Sequence, residues 1–445
     1  MRNSPERYLL ALQEHFSSVH PLAEDSAGNR RRSSTSKAVP FTTNQSGKET
    51  AFQRWFHFKE AFSPAFVSTA IEALGFTPKH IIDPFGGSGT SAISSQLLGI
   101  DITTVEVNPF LADVIQAKVS ILSAEKLRRA AAEFQARLIQ TRSNIKRFSH
   151  LPETFIEAAG KERWIFPRSI AKRLSQYLTC IEGIECPDTQ RFFRVVLGAI
   201  LIDCSNVYVN GKGRRYRGAW EQNEPTAEDL DELFGSQFNV AFADVLNFEE
   251  RPRSATNVIN GDSRFALETL QREADLIVFS PPYPNSFDYT DIYNVELWIL
   301  GYIGSSHDNR QLRTNTLSSH VQIKRKFDMP INASLTLSST VASLVTQKND
   351  LWDENIPAMV GAYFRDMETI LKQCHRLLTA QGKVIMVVGD SRYATVKIDV
   401  AAILSELAQA IGFTNVQIRE VRQMRSSAQQ GGRLQLAESI VELSL

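Results

Sequence analysis

The spacing of apolar and polar residues changes period several times along this chain. In AFQRWFHFKEAFSPAFVSTAIEALGF, from residue 51, apolar residues fall at helical spacing after Ser63, and Gly75 supplies a stop. The next segment, HIIDPFGGSGTSAISSQLLGIDITTVEVNP, reads differently. Ile81 and Ile82 predict a short strand, DPFGGSGT a loop, SAISSQLLG a helix stopped by Gly99, and ITTVEV a second strand. Strand, glycine loop, helix, strand is the opening of a doubly wound α/β sheet. Residues 111–248 turn mainly helical. There, ADVIQAKVSILSAEKLRRAAAEFQARLIQTRSNIKRF predicts one long amphipathic helix, while RFFRVVLGAILIDCSNVYV fits a buried helix or an apolar strand.

The α/β pattern then resumes. NVINGDSRFALETL predicts a strand and a helix, ADLIVFSPPY a strand, and YTDIYNVELWILGYI a helix. Residues 304–354 are polar and irregular. MVGAYFRDMETILKQCHRLLTAQG predicts a helix ending at Gly382, KVIMVVGDS a strand and VAAILSELAQAIGF a helix. TNVQIREVR and AESIVELSL close the chain as two strands, suited to an antiparallel pair at a sheet edge. The expected organisation is an arm over 1–50, a first α/β part over 51–122, a helical insertion over 123–252 that is the candidate for target recognition, and a second α/β part over 253–445 with the polar insertion 304–354. With the insertions removed, about seven strands remain.

Size and composition narrow the class. The 445 residues allow a large core, and 43% hydrophobic with 22% charged residues is the balance of a soluble globular protein. No apolar run approaches a membrane span, and MRNSPERYLLALQEHF does not read as a secretory signal. Cys180, Cys186, Cys204 and Cys374 show no metal-type spacing, which points to a reducing compartment, free thiols and no metal. Lys plus Arg and Asp plus Glu both number 49, so a polyanionic partner must be met by a local patch. Residues 25–48, rich in Ser, Thr, Asn and Arg, read as an arm whose arginines at 30–32 either touch phosphate or are simply solvated.

The loop from Asp83 to Thr90 carries the first chemistry. Gly86, Gly87 and Gly89 let backbone approach a ligand closely, and the helix behind offers free amides. No lysine follows Gly89, which disfavours a nucleoside triphosphate. Glu106, at the end of the second strand, is placed to accept from two ribose hydroxyls. DPFGGSGT followed by VEVNP resembles the S-adenosylmethionine site of class I methyltransferases, in the form used by enzymes that methylate exocyclic base amines. The resemblance implies that Asp83, Phe85, Gly87, Gly89 and Thr90 form the cofactor loop, that Glu106 holds the ribose, and that Asp262 with Ser263 in NGDSRF meets the adenine amine. RWFHFKEAFSP resembles the preceding family element, implying that Lys59 and Ser63 face the cofactor carboxylate.

Ser280-Pro281-Pro282-Tyr283 carries the second. Two prolines fix the backbone and have no N–H, leaving the carbonyls of Ser280 and Pro281, with the Ser280 hydroxyl, as acceptors. Acceptors around an exocyclic amine favour a tetrahedral nitrogen whose lone pair can attack, and Tyr283 offers a face for a base that must be flipped out of a duplex. SPPY resembles the amino-methyltransferase motif. Its Ser form is more typical of cytosine-N4 enzymes, and the Asp and Asn forms of adenine-N6 enzymes. SPPYPNSFDYT, LRTNTLSSH and VVGDSR are similar to bacterial DNA methyltransferases. No nucleophilic cysteine stands where carbon-5 methylation would need one, since Cys186 before Pro187 lies inside the helical insertion. The order of parts departs from the family class with a central recognition domain, because the large insertion precedes GDSR.

Recognition must then come from the insertions. In NVYVNGKGRRYRGAW, Lys212, Arg214, Arg215 and Arg217 alternate with Tyr208, Tyr216 and Trp220. This suits phosphate contact and base stacking, and a solvated loop suits it equally. Lys324, Arg325 and Lys326 form a weaker basic run. The reading is a cytosine-N4 DNA methyltransferase of a prokaryotic cytoplasm, with a possible restriction endonuclease as its counterpart. An adenine-N6 enzyme, an RNA methyltransferase and a non-catalytic DNA-binding subunit are the alternatives.

Overall fold

The computed structural model describes residues 42–43, 47, 49–210, 213–285, 287–327, 333–425 and 435–445. Its centre is a seven-stranded sheet. The strands are β1 (His80–Asp83), β2 (Asp101–Glu106), β3 (Thr256–Asn260), β4 (Ala274–Phe279), β5 (Leu378–Gly389), β6 (Asn415–Arg425) and β7 (Gln435–Ser444). They lie side by side as β6-β7-β5-β4-β1-β2-β3. β7 runs antiparallel to both its neighbours, and the other pairs are parallel. This is a doubly wound seven-stranded α/β sheet with a mainly helical insertion, the arrangement that the resemblance to class I methyltransferases implies.

The central strands have apolar middles because both faces are covered. Ile81, Ile82, Leu276, Ile277, Val278 and Phe279 are fully buried. Helices α1 (Pro64–Glu72), α2 (Thr90–Leu97) and α3 (Pro109–Val119) follow the predicted order. Pro64 and Pro109 occupy first-turn positions, where a missing N–H costs nothing. The foot of the sheet is stitched by the Lys79 amide, which donates to Asp275 Oδ2 at 2.7 Å across 196 residues.

The single amphipathic helix expected after residue 111 is two. α3 ends at Val119 and α4 (Ala124–Gln140) starts anew behind Ser123, whose hydroxyl accepts from the Lys126 amide. α5 (Arg168–Glu182), α6 (Pro187–Ile200) and α7 (Ala227–Asn247) complete the helical layer. RFFRVVLGAI is therefore helix, and Val207–Asn210 pairs with Gly213–Tyr216 as a hairpin. The layer is not a separate body: Phe134, Phe192, Phe193 and Phe234 share one core with Phe110 of α3 and Trp298. Arg251 clamps its stem, donating to the carbonyls of Lys118 (2.8 Å) and Ser120 (2.7 Å). Asp244 on α7 ties in the preceding segment, accepting from Phe52 N (2.9 Å), Trp55 Nε1 (3.0 Å) and Arg54 Nε (3.1 Å).

The stretch after SPPY breaks into a turn at Tyr289–Ile292 and α8 (Asn294–Ile299). The polar insertion is more regular than its composition predicts, with α9 (Ser306–Thr314) and α10 (Leu335–Thr346). α9 has no buried residue and so no apolar stripe to read. α11 (Ile356–Leu377) stops before the predicted Gly382, because β5 already begins at Leu378. α12 (Val400–Ile411) precedes the edge hairpin of β6 and β7.

Candidate active site

β1 and β4 are adjacent and parallel, with Ile81 opposite Leu276 and Ile82 opposite Ile277. The loops that leave their carboxyl ends therefore emerge side by side, although nearly the whole helical layer lies between them in sequence. Strand order reverses here, and such a switch point opens a crevice. The crevice has a volume of about 220 Å³ and is lined by Phe85, Gly87 and Glu106 on one side and by Ser280, Pro281, Pro282 and Tyr283 on the other. Lys59, Asp262 and Ser263 also line it.

The glycines are needed for close packing of the loop. A Cβ on Gly86 would sit 2.4 Å from Thr104 Oγ1 and 2.8 Å from Ile115 Cδ1. Gly87 is left-handed (φ 53°), and a Cβ there would meet Phe58 at 3.1 Å. The Gly87 amide donates to Glu106 Oε2 (2.7 Å) and the Asn108 amide to Oε1 (2.8 Å). Burial pushes the Glu106 carboxyl up to about 7, despite those two amides, and nearby Asp83 adds to the rise. Asp83 is itself pushed up to about 6 by burial, and it accepts from the Ser91 hydroxyl and from Phe85 N (2.9 Å).

Asp83, Gly89, Thr90 and Ser63 support the loop from behind the lining. Gly89 caps α2 with φ 83°, Thr90 Oγ1 donates to Gln53 Oε1 at 3.1 Å, and Ser63 is buried at the N-cap of α1. Asp262 caps the turn Ser263–Ala266 through Arg264 N (2.9 Å). Arg264 forks between Asp262 Oδ2 (2.6 Å) and Asp366 Oδ1 (2.9 Å). The Ser263 hydroxyl donates to the Pro84 carbonyl, and Lys59 Nζ donates to the Val209 carbonyl of the hairpin at 3.1 Å.

β4 ends at Phe279, and among the described residues no hydrogen bond reaches the carbonyl of Ser280 or Pro281. Ser280 Oγ lies 3.4 Å from Tyr283 Oη, which lies 3.5 Å from Glu438 Oε1. Glu438 and its partner Arg422 come from the edge hairpin and carry no motif that sequence reading could seize. The opposite wall was also missed. Phe58 stacks on Tyr293 (5.3 Å between centroids), and the Tyr293 hydroxyl donates to Glu60 Oε2 at 2.8 Å. His320, buried in the lining, and Asp288, paired with Arg313, lie within the LRTNTLSSH and SPPYPNSFDYT stretches. Burial lowers His320 to about 4.

The basic loop is arranged differently from a row of exposed cations. Arg214 lies over the Phe155 ring at 5.6 Å and faces Asp291 and Glu296. Arg217 donates to the carbonyls of Ser205 (3.1 Å) and Ile202 (3.0 Å). Arg215 is exposed, and Lys212 lies outside the described residues. Trp220 packs edge-on against Trp164 at 5.0 Å. Arg325 is likewise turned inward, onto the carbonyls of Arg313, Thr316 and Leu317. Each buried guanidinium replaces solvent by carbonyls or a ring, a choice that composition does not reveal. Among the described residues, no His, Cys, Asp and Glu group is arranged for a metal ion, and no helix is long and apolar enough to cross a membrane.

The type II methyltransferase M.AvaI of a Nostoc species is 27% identical over 435 residues, spanning 92% of this chain and 86% of that one. The chain is a relative of the type II methyltransferases. M.BsoBI of Geobacillus stearothermophilus, with the same designation, is 26% identical and covers 98% of this chain and 92% of its own. M.MvaI of Kocuria varians is 25% identical over 74% of both. No protein-family model matches. Among solved structures, the rRNA methyltransferase AviRa of Streptomyces viridochromogenes covers 90% of this chain and 92% of its own at 10% identity. Its TM-score is 0.29.

Proposed function

We propose that this chain is a site-specific DNA methyltransferase that moves a methyl group from S-adenosylmethionine to an exocyclic base amine, N4 of cytosine first. The observation that carries the reading is the meeting of the glycine loop, its buried carboxylate and SPPY in one crevice at the switch point. The type II methyltransferase relatives support DNA as substrate; a restriction–modification role with a separate endonuclease, in a bacterial cytoplasm, belongs to the same reading.

The residues present fit the cofactor. Glu106 offers a buried carboxylate for two hydroxyls, Val107, Leu111 and Leu317 offer apolar walls for a purine, and Gly87 brings bare backbone to the lining. Phe85, Gly87, Glu106, Asp262, Ser263 and Lys59 would hold it. When bound, it supplies an electrophilic methyl group. The Ser280 hydroxyl and the Ser280 and Pro281 carbonyls accept the hydrogens of the substrate amine, which favours a nitrogen with its lone pair free. The two prolines keep those carbonyls fixed, and Tyr283 receives the flipped base on its ring. The Ser form of the motif favours cytosine over adenine.

The test is mass spectrometry of nucleosides from plasmid DNA incubated with the protein and methyl-labelled S-adenosylmethionine. Labelled N4-methylcytosine is expected. Labelled N6-methyladenine would keep the chemistry and correct the base. Label in RNA alone, or none, would overturn the DNA reading.

A further inference from the structure

Glu438 is 2% exposed, yet it lies in the crevice lining, and both its oxygens are engaged. Arg422 grips it with two prongs, Nε to Oε2 at 2.7 Å and Nη2 to Oε1 at 3.0 Å. Oε2 also accepts from Thr42 Oγ1 at 2.5 Å, and Oε1 faces the Tyr283 hydroxyl at 3.5 Å. The pairing depends on an irregularity in the edge hairpin. Glu420 pairs with Ser439 and Arg422 with Glu438, so two steps along β6 match one along β7. A bulge of this kind re-aims a side chain, and here it sets Arg422 beside Glu438 at the crevice.

An ion-paired carboxylate can only accept. The Tyr283 O–H therefore points at Glu438, and the Tyr283 oxygen is left to accept from Ser280. The Ser280 O–H in turn points at Tyr283, and its lone pairs face the crevice. We infer that Glu438, held by Arg422 and acting through Tyr283, fixes the direction of the Ser280 hydroxyl so that Ser280 meets the substrate amine as an acceptor. A hydroxyl free to rotate would spend part of its time donating to the amine lone pair, the electrons the reaction needs. Glu438 and Arg422 are thus positioning residues, and Tyr283 does more than stack. The contacts of 3.4 and 3.5 Å are long for O–H···O bonds, and the proposed chain requires them to shorten when substrate fills the crevice, as catalytic hydrogen bonds commonly do. The inference rests on the amine methylation proposed above.

A double-mutant cycle with an independent spectroscopic arm tests it. Tyr283→Phe keeps the ring, so a role limited to stacking leaves kcat at the wild-type value. The expected result is a fall in kcat of about tenfold, the scale of one lost hydrogen bond, with KM for DNA within twofold of wild type. In a Ser280→Ala background the same change costs nothing further. Glu438→Gln lowers kcat in the wild type but not in Tyr283→Phe, and thermal unfolding of each variant shows whether it is folded. Full kcat in Tyr283→Phe, or effects that multiply with those of Ser280→Ala, would overturn the chain. The spectroscopic arm uses protein labelled with ζ-13C tyrosine in mixed H2O and D2O. A slowly exchanging Tyr283 hydroxyl, lost in Glu438→Gln, is expected; a freely exchanging one in the wild type overturns the inference. If the wild-type protein labels no nucleic acid, the methyltransferase reading fails, and this arm alone decides the hydrogen-bond chain.

Discussion

Lowering the pH from 8 to 6 will weaken S-adenosylmethionine binding about tenfold, and Glu106 is the cause. Its carboxyl is pushed by burial to about 7, so without ligand it is about 10% protonated at pH 8 and about 90% at pH 6. Ribose hydroxyls donate to the ionised form, so a proton must leave before the ligand is held. If the bound-state value lies below about 5, affinity falls by a factor of about ten across this interval, about 1.4 kcal/mol. The sign for stability is opposite. A carboxyl raised from 4.5 to about 7 contributes stability that is full below 4.5 and is lost as pH rises through 7. Ligand should therefore raise the unfolding temperature more at pH 8 than at pH 6. Calorimetric titration at pH 6, 7 and 8, in two buffers of different ionisation heat, measures both the affinity and the proton released. In Glu106→Gln the affinity is weaker and flat with pH. Equal or tighter wild-type binding at pH 6, or an undiminished slope in Glu106→Gln, would refute the reasoning.

Other expectations follow from the same geometry. Ser280→Ala will lower kcat about a hundredfold with cofactor affinity within twofold, whereas Asp83→Ala will damage both; wild-type methylation by Ser280→Ala would remove the acceptor role. Gly86→Ala, whose Cβ would sit 2.4 Å from Thr104 Oγ1, will cost about 1–3 kcal/mol in urea unfolding and most cofactor binding; an unchanged midpoint would show that the loop has slack. Asp244→Ala leaves the Phe52 amide, Trp55 Nε1 and Arg54 without their acceptor. It will cost about 3–5 kcal/mol, and a loss under 1 kcal/mol in the same assay would mean water replaces the carboxylate.

The sheet and the two loops at its switch point were legible because each is written locally. DPFGGSGT needs its glycines where Thr104, Ile115 and Phe58 crowd the backbone, and SPPY ends a buried strand with residues that cannot continue it. What was not legible depends on register or on packing. Glu438 meets Arg422 only because of a bulge, and nothing in AESIVELSL signals an acid in the crevice. The break at residues 120–123 rests on one serine cap. α10 is rich in Ser, Thr and Val, which are weak helix formers. It is fixed by Ser334, which caps Leu337 N at 2.9 Å, and by Glu406, which accepts from Ser334 Oγ at 2.7 Å. Arg214, Arg217 and Arg325 look like free cations in sequence and become internal ties in the fold.

The stitch between Lys79 and Asp275, 196 residues apart, also sets an order of events during synthesis. β1 pairs with β2 as soon as both are made, but its other edge belongs to β4. At about 5–20 residues per second, that edge waits roughly 10–40 s on the ribosome for its partner. The helical layer emerges within that interval and covers the outer side of α3, while the open edge of β1 stays the sticky surface of the nascent chain. Chains truncated before Ala274 will therefore aggregate or bind a holdase, and chains extended through β7, whose pairing closes the last buried edge, will not.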